Sequence, residues 1–221
     1  MKRQTFIVFL GLVLSSASAG AADSSWEKTG DSNGVRVYRK EVPDQPVVAF
    51  RGEAVIDAPI LRVASVLVDE DRSKEWVDSL VVNKILRKLN DHDYVLYNHV
   101  GMPFILKDRE FVSIVHVTPD QEKQTFDLAY TPTEDPDAPK TDYVRGLLHK
   151  SEFFLRSIDG GKRCEIEVEI LCDPKGAIPK WLVNLFQASW PENTIEALRK
   201  QVAKPDVKDD ARLMPFFPKA N

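Results

Sequence analysis

"CDPKGAIPKWLVNLFQASWPEN", residues 172–193, decides how the chain is read. An alternating, strand-like run stops at Pro174-Lys175-Gly176. Pro179 then opens a helical run whose first half is crowded by Trp181, Leu182, Leu185 and Phe186. Ile195, Leu198 and Val202 stripe its second half, so one helix is predicted from Pro179 to about Val202. Pro191 lies inside it and removes one backbone donor. Ser189-Trp190-Pro191-Glu192 also fits a capping box, which predicts a kink or two abutting pieces. The bulkiest apolar helix of the chain therefore comes last, and it needs something to cover.

Upstream, the pattern is mostly that of strands. Val35–Lys40 and Val47–Ile56 alternate with period two. Asp57 is the expected N-cap of a short helix entered through Pro59, with Ile60, Val63, Ala64 and Leu67 on one stripe. "DRSKEWV" continues as a second short helix or turn. After Val81 the turn-rich links "NDHD", "TPDQEK" and "DGG" separate three pairs of strand-like runs. "TPTEDPDAPKTD", Thr131 to Asp142, carries three prolines and four acids and reads as a long surface loop.

Composition bounds the answer. With 43% hydrophobic and 29% charged residues the 221-residue chain is globular. The net charge of -4 and the lack of a basic block exclude nucleic acid as a partner. Lys2 and Arg3, the apolar run Phe6–Leu14 and the small residues that follow form the three-part pattern of a secretory signal over residues 1–22. Export to an oxidising compartment would follow, and the chain has two cysteines, Cys164 and Cys172. Both lie in one strand-like run, so they stand roughly 26 Å apart, beyond the reach of a disulfide. They read as buried apolar residues on the face of Ile166, Val168 and Ile170.

The order is then strands, a helical excursion, more antiparallel strands and one apolar helix: an α+β arrangement. Glu165, Glu167 and Glu169 mark the wet face of the last strand. The opposite face must be covered, and the final helix is the remaining element with enough apolar surface. Small and polar residues lie among its bulky ones: Asn184, Gln187, Ala188 and Thr194. Either they leave a cavity between helix and sheet, or they face solvent or bond locally.

Four stretches resemble the steroidogenic-acute-regulatory-related lipid transfer (START) domains. "GVRVYRK" followed by "FRGEAVIDAP" is similar to the opening strands, and Asp108 to Val112 to the central strand. "YVRG", Tyr143 to Gly146, resembles the strand after the long loop. Lys175-Gly176 to Asn184, with the helix behind it, is similar to the closing signature and is the most specific element. The resemblance covers roughly residues 26–202 of a domain placed at 23–204, followed by a tail at 205–221. The tail's "LMPFFP" either docks on the body or lies disordered.

The resemblance implies a helix-grip fold, a curved antiparallel sheet wrapped around the long C-terminal helix. It implies one lipid in a tunnel between them, gated by that helix and the loop Thr131–Asp142. It implies no cofactor, and most members of the family are not enzymes; no catalytic or metal-binding residue is expected. The tunnel-facing residues expected from the strands are Phe111, Ser113 and Val115; Phe126, Leu128 and Tyr130; and Ile166, Val168 and Ile170. Asn98 and Leu147 join them, and the helix adds Val183, Gln187, Thr194 and Leu198. Some sterol-binding members have a buried charge where this chain has Val115, paired with an acid on the neighbouring strand. Here that strand offers Tyr97, Asn98 and His99. Ser113, Asn98 or His116 would replace the anchor, or the tunnel is almost wholly apolar. Burying about 400 Å² of lipid supplies on the order of 10 kcal/mol gross, before association costs.

Sequence searches for chemistry return little. There is no G-x-S-x-G, H-E-x-x-H, P-loop or G-x-G-x-x-G pattern. His99, His116 and His149 read as strand residues on different faces, and Trp76, Trp181 and Trp190 as core or rim. The expected protein is a monomeric periplasmic lipid carrier or sensor with transient membrane contact. The alternative is a helix-grip enzyme, cyclase- or hydratase-like, which needs two ionisable residues converging in the tunnel.

Overall fold

The computed structural model describes residues 26–103 and 106–217. The expected signal segment 1–22 lies outside them, as does the end of the tail. Ten strands and two helices follow in this order. Strands β1 (Glu27–Ser32), β2 (Val35–Glu41) and β3 (Val48–Ile56) lead into α1 (Ile60–Leu67) and a 3-10 turn at Glu70–Glu75. Then come β4 (Leu80–Lys88), β5 (Asp93–Val100), β6 (Arg109–Asp120), β7 (Thr125–Pro132), β8 (Val144–Arg145), β9 (Leu147–Ile158) and β10 (Arg163–Asp173). Helix α2 (Lys180–Val202) closes the fold.

All ten strands belong to one sheet, ordered β1-β2-β3-β10-β9-β7-β6-β5-β4, with β8 parallel to the start of β6. Every other pairing is antiparallel. The apolar positions of these strands meet α1 and α2 in one core that joins Val37, Ile56, Phe126, Leu155, Val168, Ile195 and Leu198. This is the α+β helix-grip arrangement, a curved sheet closed by its last helix.

Several local expectations change. Pro59, not Asp57, stands at the N-cap of α1, and Asp57 instead faces Arg163 at 3.7 Å. Pro191 does not split α2, which runs unbroken for 23 residues. The capping box does not form, because Ser189 donates to the Phe186 carbonyl at 3.1 Å. β1 had no strand-like alternation and was not foreseen; it is held by its ladder to β2. Glu169 on the outer face is 8% exposed rather than wet. Arg51 at 3.0 Å and Lys150 at 3.1 Å pair with it, and the Trp26 ring lies 4.4 Å from the Arg51 guanidinium. Both cysteines are free thiols, and burial pushes each up to about 12.

The described part of the tail docks. Val207, Leu213 and Phe217 enter the main core. Arg62 of α1 ion-pairs Asp209 at 2.9 Å, and the Asp210 amide donates to the Ser65 hydroxyl at 2.7 Å. Of the two alternatives for the tail, its described residues 205–217 take the docked one.

The largest reversal concerns the orientation of α2. Trp181 is 68% exposed, Leu185 60% and Phe186 43%. The side chains that α2 buries are Val183, Gln187, Pro191, Ile195, Leu198 and Gln201. Two polar fasteners hold its first half. The Gln187 amide donates to the Cys172 carbonyl at 2.9 Å and accepts from the Cys172 N–H at 3.2 Å, as a strand neighbour would. Asn184 accepts from the Val48 N–H at 3.4 Å.

Candidate functional site

The second half of α2 packs closely on the sheet because Gly52 lets it. A Cβ at Gly52 would stand 2.6 Å from Pro191 Cβ, 3.2 Å from Ile195 and 3.3 Å from Val168. That contact seals the concave face around Gly52 of β3 and Val168 of β10. The space left over lies beside it, between α2 from Val183 to Ala197, β4–β7, β9, the end of β10 and the 3-10 turn. It is a cavity of about 940 Å³, near the upper end of the ~300–1,000 Å³ typical of small-molecule sites.

Of the residues expected at the cavity, Asn98, Phe111, Tyr130, Ile170, Val183, Gln187 and Thr194 line it. Val115, Phe126, Leu128, Ile166, Val168 and Leu198 do not: they are fully buried in the solid core under the sealed half of the helix. Leu147 yields its place to Leu148. Ser113 is buried beside the cavity, its hydroxyl without a protein partner. Strand alternation places these side chains on the concave face. It does not say where along that face the helix touches down.

The wall also contains two tryptophans read from the sequence as core or rim, and several groups that the sequence reading passed over. Trp76 and Trp190 line the cavity, and Trp190 meets Phe153 edge-on at 6.0 Å. Trp76 Nε1 is buried without a partner. Ser151, Asn193 and Asn83 add polar atoms. Glu70, from the 3-10 turn, adds a carboxylate. The only hint in the sequence was the polar, helix-breaking run between α1 and β4.

Two ionisable side chains lie in the wall away from its rim. Arg109 is 3% exposed and its guanidinium is consumed by carbonyls: Pro174 at 3.2 Å, Lys175 at 3.0 Å, and Lys107. It ties β6 to the turn before α2, where Gly176 adopts φ +72°. Glu70 accepts from the Tyr94 hydroxyl, the Asn83 amide and, at 3.5 Å, the Ser73 hydroxyl. Desolvation nevertheless raises its pKa above the ordinary carboxylate range. The expected neighbour of Val115 is corrected here as well. Its partner on β5 is Tyr94, not Tyr97–His99, and the acid that Tyr94 meets comes from the 3-10 turn.

Arg109 and Glu110 face opposite ways, as neighbouring strand residues must. Glu110 points out of the cavity and accepts from Tyr97 and Thr141 at 2.8 Å and from Arg145 at 2.9 Å. Its partners hold the loop Thr131–Asp142, and Asp135 adds an ion pair to Arg87 at 2.9 Å. No residue of that loop lines the cavity. It packs on the convex side of β4–β6, with Ala138 against the Val95–Tyr97–Val112 cluster. The mouth is bordered instead by residues 76–81 and 101–103 and by Phe186 and Ser189 of α2.

The histidines stand apart from this wall. His99 contacts Asp108 at 2.7 Å and stacks on Tyr143 at 4.1 Å; His116 contacts Asp93 at 2.9 Å. Among the described residues no three His, Cys, Asp or Glu side chains gather as a metal site would require.

Comparison with known proteins gives a consistent picture. The family model described as "START domain" matches residues 14–202. An uncharacterized protein of Pseudomonas aeruginosa is 27% identical over 199 residues, covering 87% of this chain and 96% of its own. The phosphatidylcholine transfer protein of Mus musculus is 26% identical over 168 residues, covering 73% and 76%. Among solved structures, the human StAR-related lipid transfer protein 5 superposes with TM-score 0.74 at 22% identity, covering 82% of this chain and 88% of that one. A STAR-related lipid transfer protein fragment from Xanthomonas axonopodis superposes with TM-score 0.71 at 21% identity, covering 81% and 99%.

Proposed function

The chain belongs to the START domain family, and from that premise we propose that it binds one lipid-like molecule in the cavity under α2 and carries it between membranes. The observation that carries this reading is the cavity itself, about 940 Å³ between α2 and the sheet. Its walls are mostly apolar side chains such as Phe111, Ile170, Val183 and Trp190. Apolar burial would supply affinity there, and few polar groups would set orientation.

Carriage rather than catalysis is supported by the ionisable groups. Helix-grip chemistry on a polyketide-like substrate needs an acid and a base converging on one ligand. Arg109 has its guanidinium committed to backbone carbonyls, burial holds Tyr130 and Cys172 neutral, and Asp78 is exposed at the rim, which leaves Glu70 without a base or acid facing it among the described lining residues. Contact with a membrane is supported by Trp181, Leu185 and Phe186, which stand exposed beside the mouth. No described helix is long and apolar enough to cross a bilayer. The pattern of residues 1–22 supports action in the periplasm.

Purification from a native-like host followed by organic extraction and mass spectrometry tests the reading. A stoichiometric lipid is expected. Extracts without lipid, together with no uptake from lipid vesicles, would overturn it.

A further inference from the structure

Glu70 is a partly buried carboxyl group lining an apolar cavity, and no Lys or Arg pairs with it among the described residues. Its three partners, Tyr94, Asn83 and Ser73, are neutral donors. Asn83 is itself held by Asn98, whose amide donates to Asn83 Oδ1 at 2.5 Å. Arg212 of the tail is near enough to feel the Glu70 charge but is paired to Asp210 at 3.1 Å. Trp76 Nε1, a donor with no partner, lines the same cavity. Carboxylates are rarely buried without a countercharge, because removing one from water costs several kcal/mol. A carboxyl group held by three neutral donors at the wall of a hydrophobic hollow, with no countercharge, is an acceptor site with room for a further donor.

We propose that Glu70 is the polar anchor of the cavity, taking a ligand whose head donates a hydrogen bond, a hydroxyl or a protonated amine on an apolar body. This rests on the reading that the cavity carries an apolar molecule, and it narrows the class. An anionic head meets repulsion from ionised Glu70 and, among the described lining residues, no free cation to offset it, because the Arg109 guanidinium is consumed. The two donor heads share one chemistry but differ in charge. An amine gains a full ion pair with ionised Glu70. A hydroxyl gains one charge-assisted hydrogen bond.

Three probes with the same sixteen-carbon chain separate these cases: hexadecylamine, 1-hexadecanol and hexadecanoate. Binding is read by quenching of tryptophan fluorescence, since Trp76 and Trp190 line the site. The wild-type protein is expected to prefer the amine or the alcohol to hexadecanoate by about tenfold or more. Glu70→Gln is expected to erase most of that preference while hexadecanoate binding holds or improves. If the amine leads and collapses in Glu70→Gln, the natural head is cationic. If the alcohol leads, it is a hydroxyl. Equal wild-type affinity for all three, or a lead for hexadecanoate, overturns the anchor and leaves the cavity reading standing. Failure of all three to bind the wild type overturns the cavity reading and the anchor with it. The wild-type ranking needs no variant, so a folding defect in Glu70→Gln cannot mask the answer.

Discussion

At the residue scale, Asp127 on β7 and Glu152 on β9 share the charged outer face of the sheet. Burial, and then the neighbouring Glu152, push Asp127 up to about 7. An unfolded aspartate titrates near 4. Between those values the native state holds the extra proton, so stability falls as pH rises from about 4 to about 7 and is flat above. Asp127→Asn removes that loss. Its melting temperature is expected to exceed the wild type by roughly 2–4 °C at about pH 8 and to match it at about pH 4; an offset that ignores pH would refute the assignment. Cavity residues divide by the same kind of local test. Thr194 lines the cavity and Leu198 lies in solid core. Thr194→Trp should leave a folded protein with lost probe binding. Leu198→Trp should lower stability by about 1–3 kcal/mol through overpacking, visible in a urea titration.

At the element scale, the close approach of α2 to β3 is the contact that shapes the cavity. Gly52 has no left-handed φ, so alanine fits its backbone and would ordinarily stabilise by restricting the unfolded chain. Here the added Cβ meets Pro191 Cβ at 2.6 Å, an atom fixed to the helix backbone that no rotamer change can move. Gly52→Ala is expected to destabilise by about 1–3 kcal/mol, whereas Gly30→Ala, whose nearest neighbour would be 3.6 Å away, is neutral or stabilising. A neutral Gly52→Ala in denaturant unfolding would mean that the helix seats less tightly than described. Most strands and both helices were legible because period two and period 3.6 are written in residues such as Glu165–Ile170 and Ile60–Leu67. The burial of α2 was not legible. Its first half is apolar on two sides, and periodicity cannot tell the buried Val183 and Gln187 from the exposed Trp181 and Leu185. Nor does a sequence show that a glycine on β3 seals one half of a concave face. Val168 and Leu198 therefore read as tunnel, while Trp76 read as core or rim and Glu70 of the same wall went unnoticed.

At the scale of the whole molecule, the two sides of α2 have separate tasks. Gln187 and Asn184 fix the inner side to β10 and β3. The outer side presents Trp181 and Leu185 to solvent, with the exposed lysines Lys175 and Lys180 nearby. Phe186 belongs to both, since it is exposed and also lines the cavity. An exposed cluster of large apolar side chains is unusual on a monomer surface. Tryptophan beside lysine suits the boundary between lipid headgroups and acyl chains. Seating this patch in a bilayer would bring the mouth against lipid without displacing the sealed half of the helix. Docking and binding should then separate. In Trp181→Ala/Leu185→Ala, loss of about half the burial of two large side chains amounts to roughly 2 kcal/mol, so transfer of a fluorescent lipid between vesicles should slow by about tenfold or more. Equilibrium binding of a detergent-delivered probe should stay within about twofold, because neither side chain lines the cavity. Sedimentation with vesicles should fall in parallel with transfer. Unchanged transfer would mean that the chain loads its ligand through another surface, and the 101–103 segment at the opposite lip of the mouth would be the next place to substitute.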